Sequence, residues 1–459
     1  MPTDSIQEQE EQILFKFFPS TTTKYRQGNS RSLVTFTVIM LSVIISSCSV
    51  NPVTGENEFS LVSAEQEVAI GRQNYQPSQQ VQGGRYVVDP ELSVYVSQIG
   101  QKLAKVSDRP QLPYEFVVLN NDVPNAWALP GGKIAINRGL LLYLEDESQL
   151  AAVLGHEIVH AAARHGALQM TQASVIGLGT QVVTQSSQQS PYGELIASTV
   201  GITAAAWQAR YGRQDELDSD RYGMNYMVNA GYDPQGAVEL QEVFVRLSEG
   251  RQSDFISGLF ASHPPSQERV KLNRERAEKL KDRGGVRNVK AFQNATAKIR
   301  NDQPAYQLHQ QAISEIKNNN FDKALTLNEQ AIKAQPKENL FWETKAQILD
   351  LQNKPREALA ALNQAVSIYP EYFSPLLARG VIQLKLNDFS SAEKDLLASQ
   401  KLLDTPVTNF MLGHANLGLG QRAKAIQYFQ IAVAAGGDIG QAATKELEQL
   451  GITTQTTNQ

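Results

Sequence analysis

Leu150-Ala151-Ala152-Val153-Leu154-Gly155-His156-Glu157-Ile158-Val159-His160-Ala161-Ala162-Ala163-Arg164-His165-Gly166 is the stretch around which this chain is organised. Two histidines four residues apart share one face of a helix, one turn from each other. Imidazoles placed in this way can point at a single ion and supply half of a tetrahedral zinc site. Glu157 follows the first of them and sits just off their line. There it can take a proton from a water whose pKa the ion lowers. The bland alternative is a pair of surface histidines beside a glutamate. The flanks argue against it, because Leu150, Val153, Leu154, Ile158, Val159 and the surrounding alanines make the helix apolar on nearly all sides. Such a helix is buried, and buried histidines need partners, which a metal provides.

The rest of the composition bounds the answer. At 459 residues there is room for about three domains. A hydrophobic content of 41% is ordinary for a soluble globular protein. The net charge of -5 argues against a nucleic-acid binder that works by neutralising phosphates. Cys48 is the only cysteine, so no disulfide framework forms within the chain. Four of the six histidines fall between positions 156 and 263, which marks that region as the chemical one.

Two imidazoles do not complete a catalytic zinc site, which takes three protein ligands and keeps a position for water. Residues 194–212 read as a helix with Leu195, Ile196, Val200, Ile202 and Trp207 apolar, running towards Arg213–Gly223. A dense acidic run such as Asp215, Glu216, Asp218 and Asp220 is usually a solvated face. Yet Glu216 and Asp220 are four apart and can both point inward. Glu216 is the expected third ligand, and Asp220 the carboxylate that orients a ligating histidine. Arg164 and Arg213 are the expected counter-charges. His165, five residues past His160 and about 140° around a continuous helix, stays out of the metal shell.

His156-Glu157-Ile158-Val159-His160 followed by Glu216-Leu217-Asp218-Ser219-Asp220-Arg221-Tyr222-Gly223 resembles the M48 family of zinc metallopeptidases. The family's second motif is a glutamate, three residues and an aspartate, with alanine usual before the aspartate; Ser219 takes that place here. Asn125-Ala126 with Pro130-Gly131-Gly132, and Ser262-His263-Pro264-Pro265, match two further family segments. The resemblance covers about residues 60–285. It implies an α+β gluzincin-like domain over 63–285, mostly helical with a small sheet, that holds one Zn2+ per chain. For His263 it leaves two roles open: stabilising the oxyanion of the tetrahedral intermediate, or filling the open metal position of a latent enzyme.

Ahead of the domain, residues 33–47 are an uncharged apolar run preceded by Lys16, Lys24, Arg26 and Arg31, the pattern of a secretory signal. About 15 residues fall short of a membrane span. Ile45-Ser46-Ser47-Cys48 resembles a bacterial lipobox, which makes 1–47 a signal peptide and Cys48 the lipidated first residue of the mature chain. By the sorting rules of Gram-negative bacteria, Ser49 suits the outer membrane facing the periplasm. Residues 48–62 read as a tether. A helix capped by Ser63 follows, then a Gln- and Gly-rich loop over 75–84, a helix from Pro90 to about Lys105, and strands over 114–119 and 133–137. The strands form a hairpin or neighbours, and a free sheet edge there can pair with an extended peptide.

From about 303 to 455 the chain repeats every 34 residues after a linker helix over 286–302. Ala324, Ala358 and Ala392 keep that interval and Ala425 follows at 33; Phe321, Pro355 and Phe389 keep it too. Ala312, Ala346, Gly380 and Gly413 hold a close-packing position. The pattern resembles about four tetratricopeptide repeats, an all-α solenoid that binds a protein partner and does no chemistry. His309 and His414 fall inside these helices as surface or packing residues rather than ligands. A peptidase domain, an anchor and a repeat array together resemble M48 proteases of the bacterial envelope, and that resemblance implies a lipid-anchored endopeptidase working on protein or peptide substrates in the quality control or assembly of outer-membrane proteins. The rival reading is a chaperone or scaffold acting through its repeats, with a structural or idle metal site.

Overall fold

A computed structural model describes residues 48–177, 211–249 and 263–452. The leader 1–47, nearly all of the helix expected over 194–212, and Ser262 lie outside the described residues. The architecture is the expected one: a mostly helical domain with a small sheet, then a helical array.

Two short strands, β1 (Cys48–Val50) and β2 (Asn57–Phe59), pair as a two-stranded sheet. Helix α1 (Ala64–Val81) starts at a capping box in which the Ser63 side chain accepts from Gln66 N and Gln66 reaches back to Ser63 N. It runs on through Pro77, where a loop was expected. The reason is tertiary. Gln80 donates to Glu371 O and accepts from Phe373 N, so the Gln-rich turn is the surface on which the array sits. Helix α2 (Pro90–Ala104) buries Leu92, Val96, Ile99 and Leu103.

The main sheet has the order β3 (Glu115–Leu119), β5 (Lys133–Asn137), β4 (Ala126–Leu129). β3 runs parallel to β5, with Phe116 opposite Ile134 and Val118 opposite Ile136. β4 is the strand the sequence did not announce. It forms an antiparallel hairpin with β5, turning at Gly131 and Gly132, whose φ values of 75° and 82° suit glycine. β4 therefore occupies a sheet edge.

A short helix α3 (Arg138–Leu141) leads to the central helix α4 (Glu147–Ala162), capped by the Asp146 side chain accepting from Gln149 N. Every residue of α4 is buried. Leu150, Val153, Leu154, Ile158 and Val159 lie in the main core, each worth roughly 1.5–3 kcal/mol of transfer free energy. α4 ends at Ala163. Arg164 takes a left-handed φ of 66°, and α5 (His165–Gly177) sets off in a new direction. His165 is thus outside a continuous helix, contrary to the basis on which it was set aside. Helices α6 (Arg213–Asn229) and α7 (Gln235–Glu249) pack on α4, and α8 (Gln267–Leu280) packs on both of those.

Residues 49–62, read as a tether, are held on the domain. Asn51 Nδ2 donates to Ala163 O at 3.2 Å, Arg164 Nη1 to Ser49 Oγ at 3.1 Å, and Leu61 N to Thr171 Oγ1 at 3.1 Å.

After α9 (Val289–Asn301) come the helix pairs α10 (Gln303–Lys317) with α11 (Phe321–Ala334), α12 (Asn339–Leu351) with α13 (Pro355–Ile368), α14 (Phe373–Lys385) with α15 (Phe389–Leu402), and α16 (Pro406–Gly418) with α17 (Arg422–Ala434). A last helix α18 (Gly437–Gln449) covers the end of the array. Ala324, Ala358, Ala392 and Ala425 are wholly buried where paired helices meet. Asn319, Asn353 and Asn387 all take φ near 60°, and Gly420 takes 71°, so one turn recurs in each pair. The array is seated on the first domain by Glu338, which is wholly buried. It accepts from Asn120 Nδ2 at 2.8 Å and from Tyr306 Oη at 2.5 Å, while Arg138 lies over the Tyr306 ring.

Candidate metal centre

The centre is built where α4 crosses α6. Helical spacing puts His156 and His160 on the side of α4 that meets α6, and the same spacing presents Glu216 and Asp220 back to them. The helices meet at Gly155 and Gly223, and a Cβ on Gly223 would stand 2.9 Å from His156 N. That contact lets side chains as short as aspartate bridge the two backbones.

The structure brings His156, His160, Glu216 and His263 together, with one ligand atom from each lying within 4.8 Å of all the others. His156 Nε2 and His160 Nε2 are 3.0 Å apart. Glu216 places Oε2 3.5 Å from the first and Oε1 3.4 Å from the second. His263 Nδ1 lies 2.9 Å from Glu216 Oε1 and 3.3 Å from His156 Nε2.

These distances fit a metal. Tetrahedral bonds of about 2.0–2.1 Å separate neighbouring ligand atoms by roughly 3.3–3.4 Å. The donor set of imidazoles and one carboxylate is the one zinc takes in catalytic sites. Glu157 Oε2 and His263 Nε2 are buried without a hydrogen-bond partner, the mark of a polar pocket that protein atoms alone do not satisfy. His263 Nε2 stands 3.4 Å from Glu157 Oε1.

Around the cluster lies a second layer of contacts. Asp220 Oδ1 is 3.0 Å from His156 Nδ1, which leaves Nε2 free to face the centre. Arg269, on α8, donates from Nε and Nη2 to the two Asp220 oxygens at 2.7 Å each, and its Nη1 is 2.8 Å from Glu216 Oε2. Gln241 Nε2 adds a donor to Asp220 at 3.3 Å. His165 Nδ1 lies 2.9 Å from His160 Nδ1, on the side away from the cluster. Tyr211 stacks on the His160 ring at 3.6 Å between centroids.

The counter-charges expected from sequence are elsewhere. Arg164 pairs with Glu67, and Arg213 pairs with Glu268. Arg269 does their work instead. It sits in a run dense in charge, Gln267-Glu268-Arg269, that reads as a solvated helix face; its only sequence signal is its position six residues after His263. Tyr211 and the Gly155–Gly223 contact were likewise not legible.

With no ion bound, burial resists charging His156, yet Glu216 and Asp220 prevail and push it up to about 10. Burial drives His160 well below its ordinary value, against the pull of Glu216. Burial raises the Glu157 carboxyl, with His263 and His156 opposing. Burial also works against ionising Glu216 and Asp220, but His263, His156 and Arg269 hold the first low and Arg269 holds the second low. The pocket thus keeps two fixed negative charges beside a more basic carboxyl.

Residues 90–277 match the model of peptidase family M48, and residues 309–373 match a tetratricopeptide-repeat model. The chain carries an M48 peptidase domain. It is a metalloprotease with a C-terminal repeat array. The matched M48 segment holds the whole cluster, from His156 to Arg269. Among similar proteins, the Beta-barrel assembly-enhancing protease of Escherichia coli is 25% identical over 343 residues, covering 68% of this chain and 69% of that one. The Mitochondrial metalloendopeptidase OMA1 of Schizosaccharomyces pombe is 28% identical over 222 residues, covering 48% and 64%. Metalloprotease YcaL of Escherichia coli is 29% identical over 186 residues, covering 39% and 70%. No helix among the described residues is long and apolar enough to cross a membrane.

Proposed function

We propose that this M48 protein is a zinc-dependent endopeptidase, lipid-anchored through Cys48 in a bacterial envelope, at the outer membrane facing the periplasm. It acts there on misfolded or stalled envelope proteins, with the repeat array engaging a protein partner. The observation that carries the reading is the convergence of His156, His160 and Glu216 within bonding distance of one point, with Glu157 beside them. One Zn2+ per chain suits this donor set. The anchor rests on Ile45-Ser46-Ser47-Cys48.

His156, His160 and Glu216 would hold the ion. When bound, zinc supplies Lewis acidity to water and to the scissile carbonyl. Asp220 fixes the tautomer of His156, and Arg269 holds both carboxylates in place. Glu157 takes up a proton at Oε2 and returns it to the leaving amine; burial raises its carboxyl toward the range such a shuttle needs. β4 offers a backbone edge along which an extended peptide can lie. At present Tyr211 Oη stands 3.4 Å from Ala128 O on that edge. His263 fills the remaining corner of the cluster, so this geometry is that of a closed site, which favours the latent role for His263 over the oxyanion role.

The test is Glu157→Gln. Zinc content, read by mass spectrometry, stays near one per chain, and peptide hydrolysis falls about 10²–10⁴-fold. Unchanged zinc together with full complementation of a deletion strain would instead favour a scaffold working through the repeats.

A further inference from the structure

The stretch that follows Cys48 carries an unusual surface. Val50, Phe59 and Leu61 are 58%, 45% and 47% exposed, and they are three of the nine large hydrophobics left open among the described residues. All three fall within 13 residues of Cys48. Single exposed apolar residues need no explanation, but three in so short a stretch beside a candidate acylation site do.

The same stretch has no slack. Asn51 N donates to Glu56 O at 2.7 Å and Gly55 N to Asn51 O at 2.9 Å, closing the turn between β1 and β2. Val53 is buried under it. Asn51 and Ser49 are bonded to Ala163 and Arg164 at the end of α4, and Arg164 also donates to Val62 O and pairs with Glu67. Arg164 holds this clamp at a left-handed φ, a conformation that costs about 1 kcal/mol or more and persists only when its surroundings fix it.

We infer that the β1–β2 hairpin and Leu61 just beyond it form a membrane-docking surface, with Val50, Phe59 and Leu61 seated in the interface of a zwitterionic bilayer. This rests on the lipid anchor proposed above. Covalent reach is the argument. Two residues span at most about 7 Å, so acyl chains on Cys48 cannot hold a bilayer far from Val50. Paired strands lie about 4.8 Å apart, which brings Phe59 to the same level. The charged side chains of the hairpin are Glu56 and Glu58, both acidic, so an anionic surface is disfavoured.

The docking has a consequence for substrates. Ala163 is three residues past His160, about 5 Å along the helix axis. The metal cluster therefore stands within roughly 30 Å of the lipid surface, allowing three extended residues from Cys48 to Asn51, the Asn51 side chain and its bond to Ala163, one turn of helix and the length of the His160 side chain. The substrate class is then the membrane-proximal segments of lipid-embedded proteins rather than freely diffusing ones.

The test uses the acylated full chain in phosphatidylcholine vesicles whose acyl chains carry bromine. Tryptophan is introduced in turn by Phe59→Trp, Leu61→Trp and, on the array, Ile431→Trp, an equally exposed position. After subtraction of the wild-type emission, bromolipid quenches the two hairpin reporters at least about threefold more than the array reporter. Added anionic lipid brings no gain. Equal quenching at all three positions overturns the inference. So does a hairpin reporter shielded in detergent and unquenched in vesicles, the sign of a second copy covering the patch. Mass spectrometry of the mature N-terminal peptide reads the anchor separately. An unmodified Cys48 removes the anchor and the docking together, whereas an acylated chain without quenching removes the docking alone.

Discussion

Gly155 and Gly223 face each other across α4 and α6 so closely that a Cβ on either would meet the backbone of the other, at 3.0 Å from Gly223 O and 2.9 Å from His156 N. The metal cluster depends on that contact, because His156 and Glu216 reach each other only while their helices stay this near. Gly223→Ala is expected to force the backbones apart at a cost of roughly 1–3 kcal/mol. The displaced Glu216 and Asp220 then weaken zinc binding about tenfold or more. Chelator competition and thermal melting read the two effects. Retention of zinc at wild-type affinity would show that the crossing has room to spare.

Arg269 is the only arginine or lysine among the described residues within ion-pair distance of both Glu216 and Asp220. Arg269→Ala leaves two buried carboxylates short of a partner, which costs about 3–5 kcal/mol. The ion and Arg269 neutralise the same charges. Chelation should therefore lower the melting temperature of Arg269→Ala more than that of the wild type. Arg269→Lys keeps the charge but not the two-pronged grip on Asp220, and should restore stability only in part. Equal chelator sensitivity in wild type and Arg269→Ala would remove the arginine from this role.

Much of this chemistry was readable because a helix converts spacing into direction. His156 with His160, and Glu216 with Asp220, repeat every four residues, so their convergence needed only that two helices pack. The repeats were readable for the same reason, since Ala324, Ala358 and Ala392 mark one contact three times over. What could not be read depends on partners distant in sequence. Pro77 and the glutamines around it look like a loop until the Glu371–Phe373 backbone is set against Gln80. Arg164 looked like a counter-ion for the metal carboxylates, but Glu67, 97 residues earlier, claims it. Arg269 looked solvated because its neighbours Glu268 and Lys271 are. Asn319, Asn353 and Asn387 keep the same 34-residue interval, so the recurring turn was legible in the spacing as well but was not picked out.

Glu338 is the pin between the catalytic domain and the array. It accepts from Asn120 on the peptidase side and from Tyr306 on the array side, and Asn120 Oδ1 in turn accepts from Arg138 Nε at 2.8 Å. Glu338→Ala strands the donors of Asn120 and Tyr306 in a buried site, at about 1–3 kcal/mol each. Hydrogen exchange should then quicken in the last turn of α1, where Gln80 meets the array, while α4 stays protected. Unchanged exchange there would mean that the Gln80 bonds to Glu371 and Phe373, with Arg85 N donating to Tyr369 Oη at 3.1 Å, suffice to seat the array.

His309 gives the array a dependence on pH that can be isolated. Burial, helped by the nearby Arg138 charge, pushes its pKa down to about 3, and its Nε2 pairs with Thr344 Oγ1 at 2.9 Å. In the unfolded chain a histidine titrates near 6.5. The folded state thus resists a proton that the unfolded state accepts, so stability rises with pH between the two values. It is complete above about 6.5 and is lost as pH falls from there towards 3. Between pH 6.5 and 5 this one group should remove about 2 kcal/mol, at 1.36 kcal/mol per pH unit. His309→Gln offers Thr344 a neutral partner and does not titrate. Denaturant midpoints at pH 7 and pH 5 should therefore differ more for the wild type than for the variant. A wild type and variant that lose the same stability on acidification would place the titrating group elsewhere.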